Sequence, residues 1–223
     1  MKRRFFILLL LLVRFNPCFS QSVNAAAGST DLNSYITASP LSLIDIHAPR
    51  LRAGYIQHIS DHWKIGLDLG VGSGTGLFSQ RESEDHLLIE ARPEVYFILK
   101  PTSRTLKYLS AEFFYIDQTS VLLNDEYRRE DGLLIDYGRA DYARQKYGMH
   151  FKFGLFLNLG RHFGLNFYGG VGFRFKTTTF ENIVDSEEVS RSRHRHGYET
   201  IYDVENSDFR PNPSLGFRLY FRV

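Results

Sequence analysis

The sequence predicts an all-β chain, specifically an antiparallel up-and-down transmembrane β-barrel of about eight strands with short periplasmic turns and long extracellular loops. Three observations lead there. Several runs of about ten residues alternate apolar and polar side chains, the period of a strand with unlike faces. The links between these runs alternate short and long. The N-terminus has the layout of an export leader.

The leader comes first. Met1-Lys2-Arg3-Arg4 is followed by an unbroken apolar run from Phe5 to Val13 and then Pro17-Cys18-Phe19-Ser20-Gln21. A basic start, a run too short to cross a bilayer as a helix, and small residues at Cys18 and Ser20 predict a signal peptide over residues 1–20, cut after Ser20. A membrane anchor or a lipoprotein signal through Cys18 fits less well, because the run is short and Pro17 stands where that signal needs a small flexible residue. Without residues 1–20 the chain loses four bases and no acid, leaving 23 basic against 25 acidic residues, so no nucleic-acid partner is implied. Cys18 is the single cysteine, so a mature chain has no disulfide or thiolate metal site. Residues 21–39, rich in Ala, Ser, Asn and Thr, are expected as a flexible periplasmic lead-in, and residues 40–223 as the barrel.

Mean hydropathy is −0.25, and beyond the leader no apolar window is long enough for a transmembrane helix. The alternating segments carry the membrane argument instead. In Trp63 to Val71 the odd positions are Trp63, Ile65, Leu67, Leu69 and Val71, against Lys64, Gly66, Asp68 and Gly70. Tyr147 to Leu159 and Phe163 to Phe175 repeat the pattern with Phe and Leu on one face and Gly, His, Lys, Asn and Arg on the other. Leu215 to Val223 alternates to its last residue, and Ile89 to Leu99 and Leu109 to Tyr115 carry the period less cleanly. An antiparallel sandwich is the soluble alternative, but its strands usually run to about five or six residues, half the length of the longest segments here. The links near Ser60 to His62, Lys100 to Leu106 and Gly160 to His162 are short, whereas Ser73 to His86, Gln118 to Arg144 and Thr177 to Phe209 are long. Even strand parity requires one further strand before Arg50, which Pro40 to His47 is expected to supply.

The polar faces of these segments define an inward set. Asp68, Glu90, Glu94 and Glu112 stand with Lys64, Arg92, Lys152, Arg174, Lys176, Arg218 and Arg222. Mixed signs at that density predict a structural ion-pair network filling the lumen through Asp68, Glu90, Arg92, Glu94, Glu112, Lys152, Arg174, Arg218 and Arg222, with a gated channel as the alternative.

Other constellations are weaker. The glycine string Gly70 to Gly76 follows a strand, but no helix and no closing Lys-Ser/Thr follow it, so it does not read as a phosphate loop. His58-Ile59-Ser60 has the spacing of a lipid-trimming His and Ser but sits at an expected periplasmic turn. His194 and His196 could share a metal, yet spacing fixes no third ligand, and the basic stretch Ser190 to His196 reads as a loop meeting anionic surface glycolipid. The Gln118 to Arg144 link, with Asp125, Glu126, Glu130 and Asp131 beside Arg128 and Arg129, reads as a mixed-charge surface. The expectation is a non-enzymatic protein with no catalytic residues, cofactor or metal.

The segment Leu51 to Trp63, Glu90-Ala91-Arg92-Pro93-Glu94, the strands Phe151 to Lys176 around Tyr168-Gly169-Gly170-Val171-Gly172 and the C-terminal ladder resemble the small outer-membrane β-barrel domain proteins of Bacteroidota. These are similar in size to the membrane domains of the OmpA and OmpX type. Many such barrels end in Phe, where this chain has Val223. The resemblance implies an outer-membrane location, contact with outer-membrane lipid and surface glycolipid, insertion by the barrel-assembly machinery and a monomeric state. It carries no activity. Envelope structure or surface contact through the loops is the expected role, with a narrow solute channel or a lipid-modifying barrel enzyme as alternatives.

Overall fold

The computed structural model describes residues 33–45, 48–73, 82–101, 105–189 and 204–223. The expected signal peptide, most of the lead-in, the end of the glycine string and the basic stretch with His194 and His196 lie outside the described residues.

The described chain is all-β and antiparallel. Its strands are β1 (Tyr35–Ala38), β2 (Leu51–Ser60), β3 (Trp63–Gly72), β4 (Glu82–Pro101), β5 (Thr105–Arg128), β6 (Leu134–Asn158), β7 (Phe163–Val184), β8 (Glu187–Val189), β9 (Asn206–Pro211) and β10 (Ser214–Arg222). Neighbours in sequence pair from β1 to β7, β7 pairs with β10, and β10 pairs with β1, so eight strands form a ring. β8 adds to β6, and β9 continues the line of β10 along β7 after a break at Asn212 and Pro213.

The ring turns its apolar face outward. Along β3, Trp63, Ile65, Leu67, Leu69 and Val71 are each 41–52% exposed, while Lys64 and Asp68 between them are 1% and 3% exposed. Leu109, Phe113, Phe151, Phe153, Phe167, Val171 and Phe221 continue this exposed apolar face around the ring. Aromatic rows bound it. At the short-turn end Trp63 packs on Phe97 and Phe163 on Phe221, with ring centroids 5.0 and 5.3 Å apart. At the other end Tyr115, Tyr147, Phe175 and Phe209 stand side by side on four adjacent strands. From Phe163 to Phe175 is twelve steps of β7, which at about 3.4 Å per residue and a tilt of roughly 40° spans about 31 Å.

Two expectations need correction. The strand expected over Pro40 to His47 is instead Tyr35–Ala38, within the segment read as lead-in, and Pro40–Ser42 forms a single 3-10 turn. Pro40 fixes φ and lacks an N–H for the ladder, so the chain leaves the wall there. The turn fills the space between β2 and β10 above the short β1, and the chain returns so that the Arg50 N–H donates to Ser42 O at 2.8 Å.

Among the described residues the expected long loops are also largely strand. β5 runs on to Arg128, and β6 begins at Leu134, leaving only Arg129 to Leu133 as the turn. That turn closes through Arg129 N–H to Leu133 O, with Gly132 at φ +91°. The alternation ends at Tyr115 and Tyr147 because the next outward residues, Asp117 and Gln145, are polar, but the backbone ladder needs no apolar face to continue. In these extensions Asp85, Asn124, Asn182 and Asp185 adopt positive φ. Asp85 lies in a register shift, and Asn182 donates to Asp141 beside another at 2.7 Å. Asn and Asp tolerate that conformation better than other non-glycine residues. The extensions carry their own small core, in which Tyr127 stacks on Phe180 with centroids 4.2 Å apart.

Candidate functional site

The interior of the ring is filled in layers, and each layer follows from the inward positions of the strands. Nearest the short turns Tyr35, Ile56, Tyr96, Ile98, Leu106, Tyr108, Phe156 and Tyr220 form an apolar layer. The Tyr hydroxyls find partners: Tyr108 donates to Asn166 Oδ1 at 2.8 Å and Tyr220 to Asn158 Oδ1.

Above it lies the ionic layer. Arg218 of β10 is its centre, 1% exposed. Its Nη1 and Nη2 each lie 2.9 Å from Glu94 Oε2, Nη2 donates to Glu112 Oε2 at 3.1 Å, and Nε is 3.1 Å from Asp68 Oδ2. Nη1 also donates to the Tyr96 hydroxyl at 2.7 Å, and that hydroxyl donates to Glu94 at 2.8 Å. Lys152 bridges Glu94 and Glu112. Arg92 bridges Glu90 and Glu112. Ser110 donates to Glu94 Oε1 at 2.6 Å and Thr37 to Asp68 Oδ1 at 3.2 Å, so β1 is tied into the layer.

His150 stacks on Phe114 and lies between Glu112 and Asn212. Its Nδ1 lies 3.0 Å from Glu112 Oε1 and its Nε2 2.8 Å from the Asn212 amide nitrogen, so the ring links the carboxylate to the break between β9 and β10.

Of the expected network, the structure brings together Asp68, Glu90, Arg92, Glu94, Glu112, Lys152 and Arg218. It separates two members. Arg222, four residues along β10 and so roughly 14 Å from Arg218, sits at the short-turn end, where it donates to the Arg161 carbonyl at 3.3 Å. Arg174 lies above the layer, opposite Gly148 and Arg210 in register. The network also gains members not expected from sequence. Arg50 Nε donates to Glu90 at 2.6 Å and its Nη1 to Asp45 at 2.9 Å, while Arg52 lies 3.7 Å from Asp68 and 3.9 Å from Glu90. Asp45 and Arg50 enter through the excursion between β1 and β2, for which alternation gives no signal.

With these additions five carboxylates, Asp45, Asp68, Glu90, Glu94 and Glu112, face five cations, Arg50, Arg52, Arg92, Lys152 and Arg218. The layer is neutral and most of its groups are hydrogen-bonded, Arg52 Nε, Arg218 Nε and Asp68 Oδ2 excepted, and such pairing is the condition under which buried charge is tolerated.

The other candidates are scattered. His58 and Ser60 lie at the end of β2 beside the two-residue turn. Gly70 and Gly72 lie in β3, Gly70 opposite Arg52 and Glu90. Among the described residues no group of three His, Cys, Asp or Glu side chains could hold a metal ion. On the outer wall the small residues Ala111 and Gly169 leave an apolar groove of about 570 Å³ between Trp63, Phe97, Phe151 and Phe153. Comparison with protein-family models, with curated proteins and with solved structures finds no match to this chain.

Proposed function

We propose that this chain is a non-enzymatic β-barrel of a bacterial outer membrane, exported by cleavage near Ser20, whose plugged interior makes it a rigid mount for the strand extensions beyond the membrane. One observation carries the reading: the ring is inverted relative to a soluble protein. Ion pairs fill its interior, whereas a continuous apolar face bounded by aromatic rows points outward. In water so large an exposed apolar surface is rare on a monomeric protein, whereas lipid chains match it. The span of about 31 Å between the aromatic rows fits a hydrocarbon core of about 30 Å.

The filled layers favour a structural barrel over a channel. Tyr35, Tyr108, Phe156 and Tyr220 are fully buried across the bore, and no charge of the ionic layer lacks a countercharge. On this reading the extensions of β5, β6 and β7 contact surface glycolipid or external ligands, and the barrel is a monomer inserted by the assembly machinery.

The test is electrophoresis of the membrane-extracted chain with and without boiling. A shift in migration supports the closed barrel, and an unshifted protein recovered in the soluble fraction would end the reading. Planar bilayers holding the folded chain are expected to stay silent, and discrete conductance steps would move the function to transport.

A further inference from the structure

The layer above the neutral network is built differently. On β6 and β7 the inward side chains Arg144, Lys146, Arg174 and Lys176 follow one another with little to balance them. Lys146 and Lys176 are direct register partners, which places their Cβ atoms about 5 Å apart. Arg144 and Arg174 each lie two residues from one of these lysines on the same face of its strand, a step of about 7 Å. The four form a diagonal whose charges act on one another.

Among the described residues their compensation is incomplete. Asp208 lies 3.7 Å from Lys176 and is shared with Arg210 at 2.8 Å. Arg144 donates to the neutral Gln118. Asp45 acts on Lys146 from across the interior but is hydrogen-bonded to Arg50. Among the described residues Lys146 and Arg174 make no hydrogen bond or ion pair, and the Arg174 Nε is buried without an acceptor. Like charges directly opposite on adjacent strands are destabilising. The neighbouring layer of the same ring, by contrast, matches five cations with five carboxylates.

We propose that Arg144, Lys146, Arg174 and Lys176 form a binding site for a phosphate-type oxyanion at the mouth of the ring. An oxyanion seated between the two lysines would accept from both ammonium groups. It would also supply the acceptor that the Arg174 Nε lacks. Lys146 and Arg174 are only half-buried, so solvent reaches both side chains. The phosphate belongs either to a free ion or small solute, or to the headgroup of a surface glycolipid beside the barrel. The site depends on the ring and not on where the ring resides, so it stands or falls separately from the membrane reading.

The experiment uses the full chain refolded in detergent micelles. One arm titrates inorganic phosphate and follows its phosphorus NMR linewidth and the thermal unfolding midpoint. The other titrates a phosphorylated glycolipid and its dephosphorylated form in mixed micelles. Binding of inorganic phosphate assigns the site to a free oxyanion. Binding of the phosphorylated glycolipid alone assigns it to a headgroup. In either case Lys146→Met/Arg174→Met is expected to lose at least about tenfold in affinity, as removal of charge-assisted hydrogen bonds requires, and to unfold no earlier than the parent without phosphate. Should that variant not fold, the dimethyl-lysine NMR signals of Lys146 and Lys176 in the parent chain must move on titration. No response to either probe, equal affinity in the folded variant, or unmoved lysine signals would overturn the site.

Discussion

Replacing Arg218 by Met keeps most of the side-chain volume while removing the charge at the centre of the ionic layer. Arg218 meets three carboxylates, Glu94, Glu112 and Asp68, at 2.9–3.1 Å. Without it five carboxylates face four cations, and one buried negative charge has no counterpart. Stranding one partner of a buried pair costs about 3–5 kcal/mol, against about 0–1 for a pair on a solvated surface. For an m-value of about 2 kcal/mol/M, the urea midpoint of the refolded chain falls by roughly 2 M. Adding Glu94→Gln restores neutrality, and the pair is expected to recover more than about 1 kcal/mol relative to additivity, because the two groups touch. A loss below about 1 kcal/mol in the single variant, or strict additivity in the double, would refute the claim that this layer holds the ring together as a unit.

Three further outcomes follow from the geometry. Phe153→Arg, on the outward face midway between the aromatic rows and paired with Leu109 and Gly169, is expected to cost about 2–4 kcal/mol in bilayer refolding titrations; a neutral effect would mean that this face meets water. Gly54→Val places its Cβ against the Asp68 carboxylate and is expected to lower the urea midpoint by about 1–3 kcal/mol equivalent, with an unchanged midpoint showing that Asp68 is free to move. Asp131, at the solvated tip between β5 and β6, is hydrogen-bonded to Arg129, which lowers its pKa below the ordinary carboxylate value. Its small contribution to stability is therefore present above the ordinary carboxylate range and lost as pH falls through the lowered value. Carboxyl-carbon NMR of Arg129→Gln should return the Asp131 titration toward its ordinary value, and an unmoved titration would assign the shift to the backbone.

What could be read from the sequence depended on which force shapes each stretch. Where outward residues are apolar and inward ones polar, as in Trp63 to Val71 and Phe163 to Phe175, side-chain alternation reports the strand and its facing directly. Beyond Tyr115 and Tyr147 both faces are mixed, so strands held by backbone hydrogen bonds and bulges looked like loops. Tyr35–Ala38 gave too few residues for a period to emerge, although it closes the ring. Alternation also gives the side of the sheet but not the height in the bore. Arg174 and Arg222 face inward as expected, yet register and strand tilt place one above the ionic layer and the other below it.

Height is set by how large and small residues meet across the pairs, and the inward glycines show the rule. A bore of eight strands is only just wide enough for side chains to fill. A Cβ at Gly54 would strike Asp68, at Gly154 it would strike Tyr108, and at Gly170 the backbone of Lys152. Asp68, Tyr108 and Lys152 therefore each lie against a neighbouring strand that gives up its own side chain. A one-residue slip of a strand would turn its glycines and charged groups outward and bring its apolar outward side chains into the bore against the charges of its neighbours. The same glycines that leave room for Asp68 and Lys152 thus disfavour every alternative register in which their countercharges would be missing, so packing and charge select one alignment of the ring together.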